Sequence, residues 1–224
     1  MPYCAGPRVA ADPVSPKMAW QPYTCTAARP DDAPARRTVM RCAMDWKSFW
    51  KVIEDAYRPD AIDHFEALKE RLGDLKWFEV IEFQVKFDEA ISSANLIDLW
   101  GAAHLINGGC SDDGFRDFRV WLVGRGRHAY EHALKNPDSL ADILDGDPVD
   151  GFGLDASALR VYEEKTGMSD FYARLDRAEE NAPPPPPEGT DWDFDDPDEM
   201  RKRFPKLCHL YLVPPEGPNE EGTS

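Results

Sequence analysis

The sequence lacks any long apolar run, and it also lacks the short motifs of the common nucleotide-binding and hydrolytic folds. There is no stretch of about eighteen apolar residues, and no basic start followed by an apolar core, so we expect neither a membrane-spanning helix nor a secretory signal. The GxSxG, P-loop and Rossmann glycine patterns are also missing. We therefore expect a cytoplasmic protein that uses none of these chemistries.

Basic charge is scarce relative to acidic charge. The chain has 26 Lys and Arg residues against 42 Asp and Glu residues, which gives a formal net charge of −16. A surface of this sign repels the phosphates of nucleic acids and of anionic lipids. The composition therefore disfavours nucleic-acid and membrane-surface binding and favours a basic protein as partner.

The cysteines show no metal-binding or disulfide pattern. None of them belongs to a CxxC motif or to a Cys/His cluster, and their spacing is irregular. We expect five reduced thiols and no cofactor; the cysteines are Cys4, Cys25, Cys42, Cys110 and Cys208.

The composition changes sharply at Met44. Residues 1–43 contain six Lys or Arg, three Asp or Glu and seven prolines, and we expect them to form a disordered extension. Met18, Met40 and Met44 are all available as starts, so the alternative is that this extension is an artefact of start-codon choice. Periodic sequence begins at Met44, and a helical domain is predicted from residue 44 to residue 178.

Five consecutive prolines, residues 183–187, interrupt the second half of the chain. Such a run favours an extended conformation without ladder hydrogen bonds, so residues 179–190 are interpreted as a linker. Residues 191–212 are predicted to form an arm that docks back on the domain through its aromatic residues. Residues 213–224 are predicted to be a disordered tail.

Helical periodicity predicts a mainly α-helical, compact domain of about six to eight helices. Asp45 is followed by apolar residues at helical spacing, which indicates a capped amphipathic helix. Pro59 is predicted to open a second helix and Gly73 to end it. For residues 77–87 a strand is the alternative, but helix is favoured because helical sequence continues beyond them.

The segment from Trp100 to Trp121, WGAAHLINGGCSDDGFRDFRVW, is the main candidate for a functional site. Its glycines are expected to end one helix, and Ser111, Asp112 or Asp113 to cap the next. Two carboxylates at a helix N-terminus repel an anion and so disfavour phosphate binding there. They suit either a basic side chain of a partner or a hard cation, with Asp117 as a further ligand.

Two further functional interpretations of this segment concern Cys110 and the neighbouring arginines. Cys110 with His104 as base would be a nucleophile, but the adjacent aspartates oppose a thiolate, so a small buried thiol is favoured. The arginines interleave with aromatic residues, as in some nucleic-acid sites. Because those aromatics share the helical period, we expect the arginines to pair with carboxylates, including Asp112 and Asp113; the arginines are Arg116, Arg119, Arg125 and Arg127.

His128, Glu131 and His132 match the HxxEH pattern of zinc hydrolases. Catalytic zinc needs a third protein ligand, for which only Glu163 or Glu164 is available. The histidines are expected to face solvent, because the helix presents Ala129 and Ala133 to the core. We expect exposed helical histidines and no bound metal.

Several motifs together resemble the bacterial family catalogued as domain of unknown function 4240. The resemblance covers residues 44 to about 178 and the arm at 191–211, and it implies a bacterial-type globular domain without an activity that can be assigned to residues. The motifs are Phe49-Trp50, DLWGAA at 98–103, GGCSDDGFRDFRVWL at 108–122, NPDSLA at 136–141 and YEEKTG at 162–167.

Two functional hypotheses follow from the sequence. The favoured one is a protein-interaction or regulatory module that uses the surface from Gly109 to Arg119, with Trp100, Cys110, Asp112, Asp113, Arg116 and Arg119 as candidate binding residues. The alternative is a metal-dependent hydrolase that uses Asp112 and Asp113 or the cluster of His128, Glu131 and His132.

Overall fold

The computed structural model describes residues 44–144, 149, 151, 153–175 and 185–212. In these ranges the chain is mainly α-helical, as predicted, with eight α-helices before the proline run and two after it. The predicted extension 1–43, the tail 213–224 and the linker residues 179–184 lie outside the described residues. The helices are α1 Trp46–Ala56, α2 Ala61–Gly73, α3 Trp77–Ser93, α4 Ile97–Asn107, α5 Asp112–Gly124, α6 Arg127–Lys135, α7 Ser157–Thr166, α8 Phe171–Arg174, α9 Pro197–Arg203 and α10 Pro205–Tyr211.

Two short 3-10 helices, Pro137–Asp142 and Leu154–Ala156, connect the longer elements. No helix within the described ranges is both long and apolar enough to cross a membrane.

Helix α1 begins as the sequence predicts. The side chain of Asp45 accepts a hydrogen bond from the backbone N–H of Ser48 at 2.7 Å, which caps the first turn. Phe49, Trp50 and Ile53 then fall on one face and are buried. This face packs on α2 and α3.

Helix α2 ends at Gly73, as predicted, but it begins differently from the prediction. The cap is Asp60, whose carboxylate accepts from the N–H groups of Ile62 and Asp63, so Pro59 lies before the helix and does not open it. Gly73 is the last helical residue, and Asp74, the residue that follows, has right-handed helical backbone angles. A capping aspartate directly after a proline fits the same sequence, and periodicity alone does not separate the two cases.

Residues 77–87 are helical, which excludes the alternative of a strand. The side chain of Glu79 accepts from the backbone N–H of Lys76 at 2.8 Å and fixes the start of α3. Buried residues then recur every three or four positions along α3, which is the spacing of one helix face; they are Val80, Phe83, Gln84, Phe87, Ala90 and Ile91.

Aromatic side chains of α1 and α3 contact one another in the core. The ring centroids of Phe49 and Phe83 are 5.2 Å apart, and those of Phe83 and Phe87 are 5.8 Å apart. Helix α7 covers α2 and α3 on another side of this core. All three phenylalanines are almost completely buried.

One buried polar residue of α2 has an unsatisfied nitrogen. His64 is 6% exposed, and no hydrogen-bond partner for its Nε2 lies in the part of the chain that the structure describes. Its ring packs edge-on against Tyr57, with centroids 5.5 Å apart. Burial, together with the charges of Arg125 and Arg58, lowers the pKa of His64 to about 4.

The residues after the proline run lie on α4 and on the 3-10 turn Pro137–Asp142. Helix α10 packs against both elements, and it buries Leu207 and Cys208. The arm contains two helices because Pro205, whose ring prevents continuation of α9, opens α10 directly after Phe204.

Candidate functional site

The candidate site is built on the turn between α4 and α5. Gly108 ends α4 in the left-handed conformation with φ of 65°, and Gly109 follows with φ of 127°. Both values favour glycine, so the diglycine sets the direction in which the chain enters α5. Ser111 caps α5, because its side chain accepts from the N–H of Gly114 at 3.2 Å.

Trp100 packs against this turn and holds it in place. Its indole Nε1 donates to the carbonyl oxygen of Cys110 at 3.0 Å, and its ring stacks on Phe115 with centroids 5.1 Å and planes 4° apart. The guanidinium of Arg119 lies 4.7 Å from the centre of the Phe115 ring and donates to the carbonyl of Ile91 at 3.2 Å. Three predicted site residues, Trp100, Cys110 and Arg119, are therefore brought together as a support for the turn.

Asp112 and Asp113 are exposed in the first turn of α5. Neither of them forms a salt bridge with another described residue, so the expected pairing with the arginines is wrong there. Arg116 instead reaches Asp155 in the 3-10 turn Leu154–Ala156, with 2.8 Å between nitrogen and oxygen. Within α5, Asp112 and Asp113 place negative charge at the positive, N-terminal end of the helix dipole.

Cys110 is a half-buried thiol next to this turn. Burial raises the pKa of Cys110 to about 11, and the charge of Asp117 adds to that effect. A thiol with a raised pKa is a poor nucleophile at neutral pH. His104, considered as its base, has its Nε2 3.3 Å from a carboxylate oxygen of Asp195 in the arm.

The HxxEH residues lie on α6 without the arrangement that zinc requires. His128 and His132 are exposed and their rings stack with centroids 4.2 Å apart, while Glu131 accepts from Arg127 at 2.7 Å. The described residues contain no group of three or more His, Cys, Asp or Glu side chains that could hold a metal ion. No third ligand accompanies the histidines in that part of the chain.

The DLWGAA motif holds contacts that sequence reasoning missed. Asp98 accepts from the indole nitrogen of Trp192 at 3.0 Å and from Arg203 at 2.7 Å. The Trp192 ring lies so close to Gly101 that a Cβ there would overlap its Cζ2. A glycine in the middle of a helical motif was the only signal of this close approach in the sequence.

The NPDSLA motif also binds the arm. Asp138 is 6% exposed, and its Oδ1 accepts from the backbone N–H groups of Lys206 and Leu207, each at 3.0 Å. It therefore caps α10 from a distant part of the chain. The sequence predicts that an aspartate after Asn-Pro caps the local turn. Nothing in it indicates that Asp138 binds residues 206 and 207 instead.

A family model described as "Protein of unknown function (DUF4240)" matches residues 44–164. The chain belongs to this family. The DUF4240 region contains the turn at Gly108–Ser111, the HxxEH residues and both motifs that contact the arm, whereas the arm lies beyond it. No curated protein and no solved structure matches the chain.

Proposed function

We propose that the protein is an interaction module that binds a basic partner through the surface from Gly109 to Arg119. The proposal is supported chiefly by the exposure of Asp112 and Asp113, which form no salt bridge with the other described residues. Exposed carboxylates of this kind are available to cations of another protein. Charge complementarity of this kind increases the association rate and the specificity of an interface.

The rigidity of the turn supports the same function. Trp100 holds the carbonyl of Cys110, Ser111 caps the helix and the diglycine sets the chain direction, so the two carboxylates are presented from a fixed support. A binding surface that is ordered before association loses less conformational entropy on binding. The net charge of −16 adds a long-range attraction for a basic partner.

A quantitative capture experiment tests this function. The full chain and the double variant Asp112→Asn/Asp113→Asn are used as baits in extract of the native cell, and the recovered proteins are compared. The matched control is Asp63→Asn/Glu70→Gln on α2, which removes the same charge from exposed residues elsewhere. We expect basic proteins recovered by the wild type and the control to be lost with the site variant.

Equal recovery by all three proteins would reject the proposed surface. Metal analysis of the purified chain gives a second, independent outcome. Stoichiometric metal, together with a hydrolytic activity that disappears in His132→Ala, would replace the binding module by the metal-dependent hydrolase.

A further inference from the structure

Helix α6 carries two exposed histidines that lie outside the Gly109–Arg119 surface. We propose that His128 and His132 together bind one divalent transition-metal ion of the Cu²⁺ and Ni²⁺ class, with water in the remaining ligand positions. These two residues are called the histidine pair below. The site is a binding site without hydrolytic chemistry, and it is independent of the function proposed above.

Helical geometry places the histidine pair on one face. Positions 128 and 132 are one turn apart, so their side chains project from the same side of α6. The helix buries Tyr130 and Ala133 against the body and leaves both histidines exposed. An ion from solvent therefore reaches both rings without any movement of the core.

The two rings are already adjacent. Their centroids lie 4.2 Å apart, and their planes are inclined by 26°. Two metal–nitrogen bonds of about 2.0 Å at a right angle place the ligand nitrogens roughly 3 Å from each other. Small changes in side-chain torsion bring stacked rings to this spacing. Because the backbone is already in position, little conformational entropy is lost when the ion binds.

The ring nitrogens of the histidine pair are available as ligands. No other described residue forms a hydrogen bond or an ion pair with either imidazole. A neutral imidazole has one nitrogen with an unshared electron pair, and imidazole is the commonest protein ligand of metals, suited to copper and nickel as well as zinc. The pair therefore offers two nitrogen ligands to a single ion.

The number of protein ligands selects the class of ion. Glu131 accepts from Arg127 at 2.7 Å, and no group of three metal-binding side chains occurs among the described residues. Zinc sites usually take three or four protein ligands in a tetrahedron. Cu²⁺ and Ni²⁺ instead adopt square-planar or tetragonal geometry, in which two neighbouring positions suit the imidazoles and water fills the others. Nitrogen ligands also bind Cu²⁺ more strongly than Zn²⁺.

Electrostatics and linkage both favour occupancy. The formal net charge of −16 attracts cations at long range, and the nearby charge of Arg127 is balanced by its ion pair with Glu131. An ion that joins residues 128 and 132 holds one turn of α6 closed. Since the ion binds both rings only when this turn is helical, it stabilises the folded chain.

Titration of the full chain with the Cu²⁺ complex of iminodiacetate tests the site. The chelator fills three ligand positions, leaves room for two imidazoles and keeps free copper away from the cysteine thiols. We expect calorimetry to give one complex per chain, and electron paramagnetic resonance to show two imidazole nitrogens on the copper. His128→Ala and His132→Ala should each lower the affinity by about 100-fold or more, because the second bond is then lost.

The double variant His132→Ala/Lys135→His is the matched control. It keeps two imidazoles on α6 but separates them by seven residues, which is a rise of about 10 Å, so they cannot reach the same ion. Its affinity should fall as far as that of the single variants, and circular dichroism should show unchanged helicity. Glu131→Gln should bind like the wild type, because its carboxylate is not a ligand.

Three results would overturn the proposal. They are absence of binding by the wild type, equal affinity of the wild type and the His132→Ala/Lys135→His control, and loss of binding in Glu131→Gln. The second result would show that histidines bind the complex one at a time, and the third would make the carboxylate a ligand. None of these measurements involves Asp112 or Asp113, so the proposed binding surface is tested separately.

Discussion

The helical body and the arm are held in place by different interactions. In the body, α1 and α3 bury phenylalanine against phenylalanine, and the contact between Phe49 and Phe83 needs no specific partner atom. The arm also buries apolar side chains in the same core, among them Met200, Phe204 and Leu207, but in addition Asp98 and Asp138 each accept two hydrogen bonds from arm residues. Stability of the body therefore scales with apolar area, whereas the position of the arm depends on specific acceptors as well as on apolar area.

The largest effect is expected in the body. Phe49→Ala removes a completely buried ring that contacts Trp50, Phe83 and Phe87, and we expect the free energy of unfolding to fall by about 3–5 kcal/mol. Denaturant unfolding followed by circular dichroism measures this loss. Phe49→Leu is the control and should lose clearly less; an equal loss would show that burial of area is not the cause.

A pH-dependent loss of stability is also expected in the body, from His64. The pKa of His64 is about 4 when folded and near 6.5 when unfolded, so between these values the unfolded chain binds the proton more strongly. This contribution makes the free energy of unfolding decrease as the pH falls from 6.5 to about 4, by up to about 3 kcal/mol.

The pH effect is measured as the difference between wild type and His64→Leu in unfolding experiments at several pH values. The variant cannot bind this proton, so its stability should fall less steeply over the same interval. Parallel curves for the two proteins would contradict the assignment to His64 and would place acid sensitivity in other groups.

In the arm, Asp138→Ala should have a smaller and localised effect. It removes the acceptor of the N–H groups of Lys206 and Leu207, which costs about 1–3 kcal/mol of docking free energy. Hydrogen exchange should accelerate at these two amides and change little in α1 and α3. Asp142→Ala is the control, because an exposed ion pair contributes about 0–1 kcal/mol; uniform acceleration throughout the chain would contradict separate stabilisation of the arm.

The smallest effects are expected at the α5 terminus. Ser111→Ala removes the cap and should cost about 1 kcal/mol, whereas Asp112→Asn and Asp113→Asn each lose only a dipole interaction of about 0.3–1 kcal/mol. Thermal unfolding of the three variants ranks their losses of stability. A larger loss for the aspartates than for Ser111 would show that they have structural partners, and would weaken the proposed binding role.

Local features of the fold were predictable from the sequence. Apolar spacing in α1 and α3 fixes which face is buried, and a diglycine followed by serine predicts the end of one helix and the cap of the next. The exact start of α2 was not predictable, because Pro59 is favourable as a first helical residue and Asp60 is favourable as a cap.

Long-range polar contacts were not predictable. Arg116 pairs with Asp155 rather than with the nearer Asp112 or Asp113, because folding brings the 3-10 turn Leu154–Ala156 against α5. Likewise, Asp138 caps a helix that begins far along the chain at Pro205. Nothing in the local pattern of charges distinguishes such partners from solvent-exposed residues.

The dependence of α10 on Asp138 has a consequence for how the arm becomes ordered. A helix of seven residues does not persist alone in water, since nucleation is costly and few hydrogen bonds compensate for it. Helix α4 and the 3-10 turn Pro137–Asp142 supply the missing acceptor and the apolar surface for Leu207. Docking of the arm and helix formation in α10 are therefore coupled, and the helicity of residues 205–211 is itself a readout of arm docking.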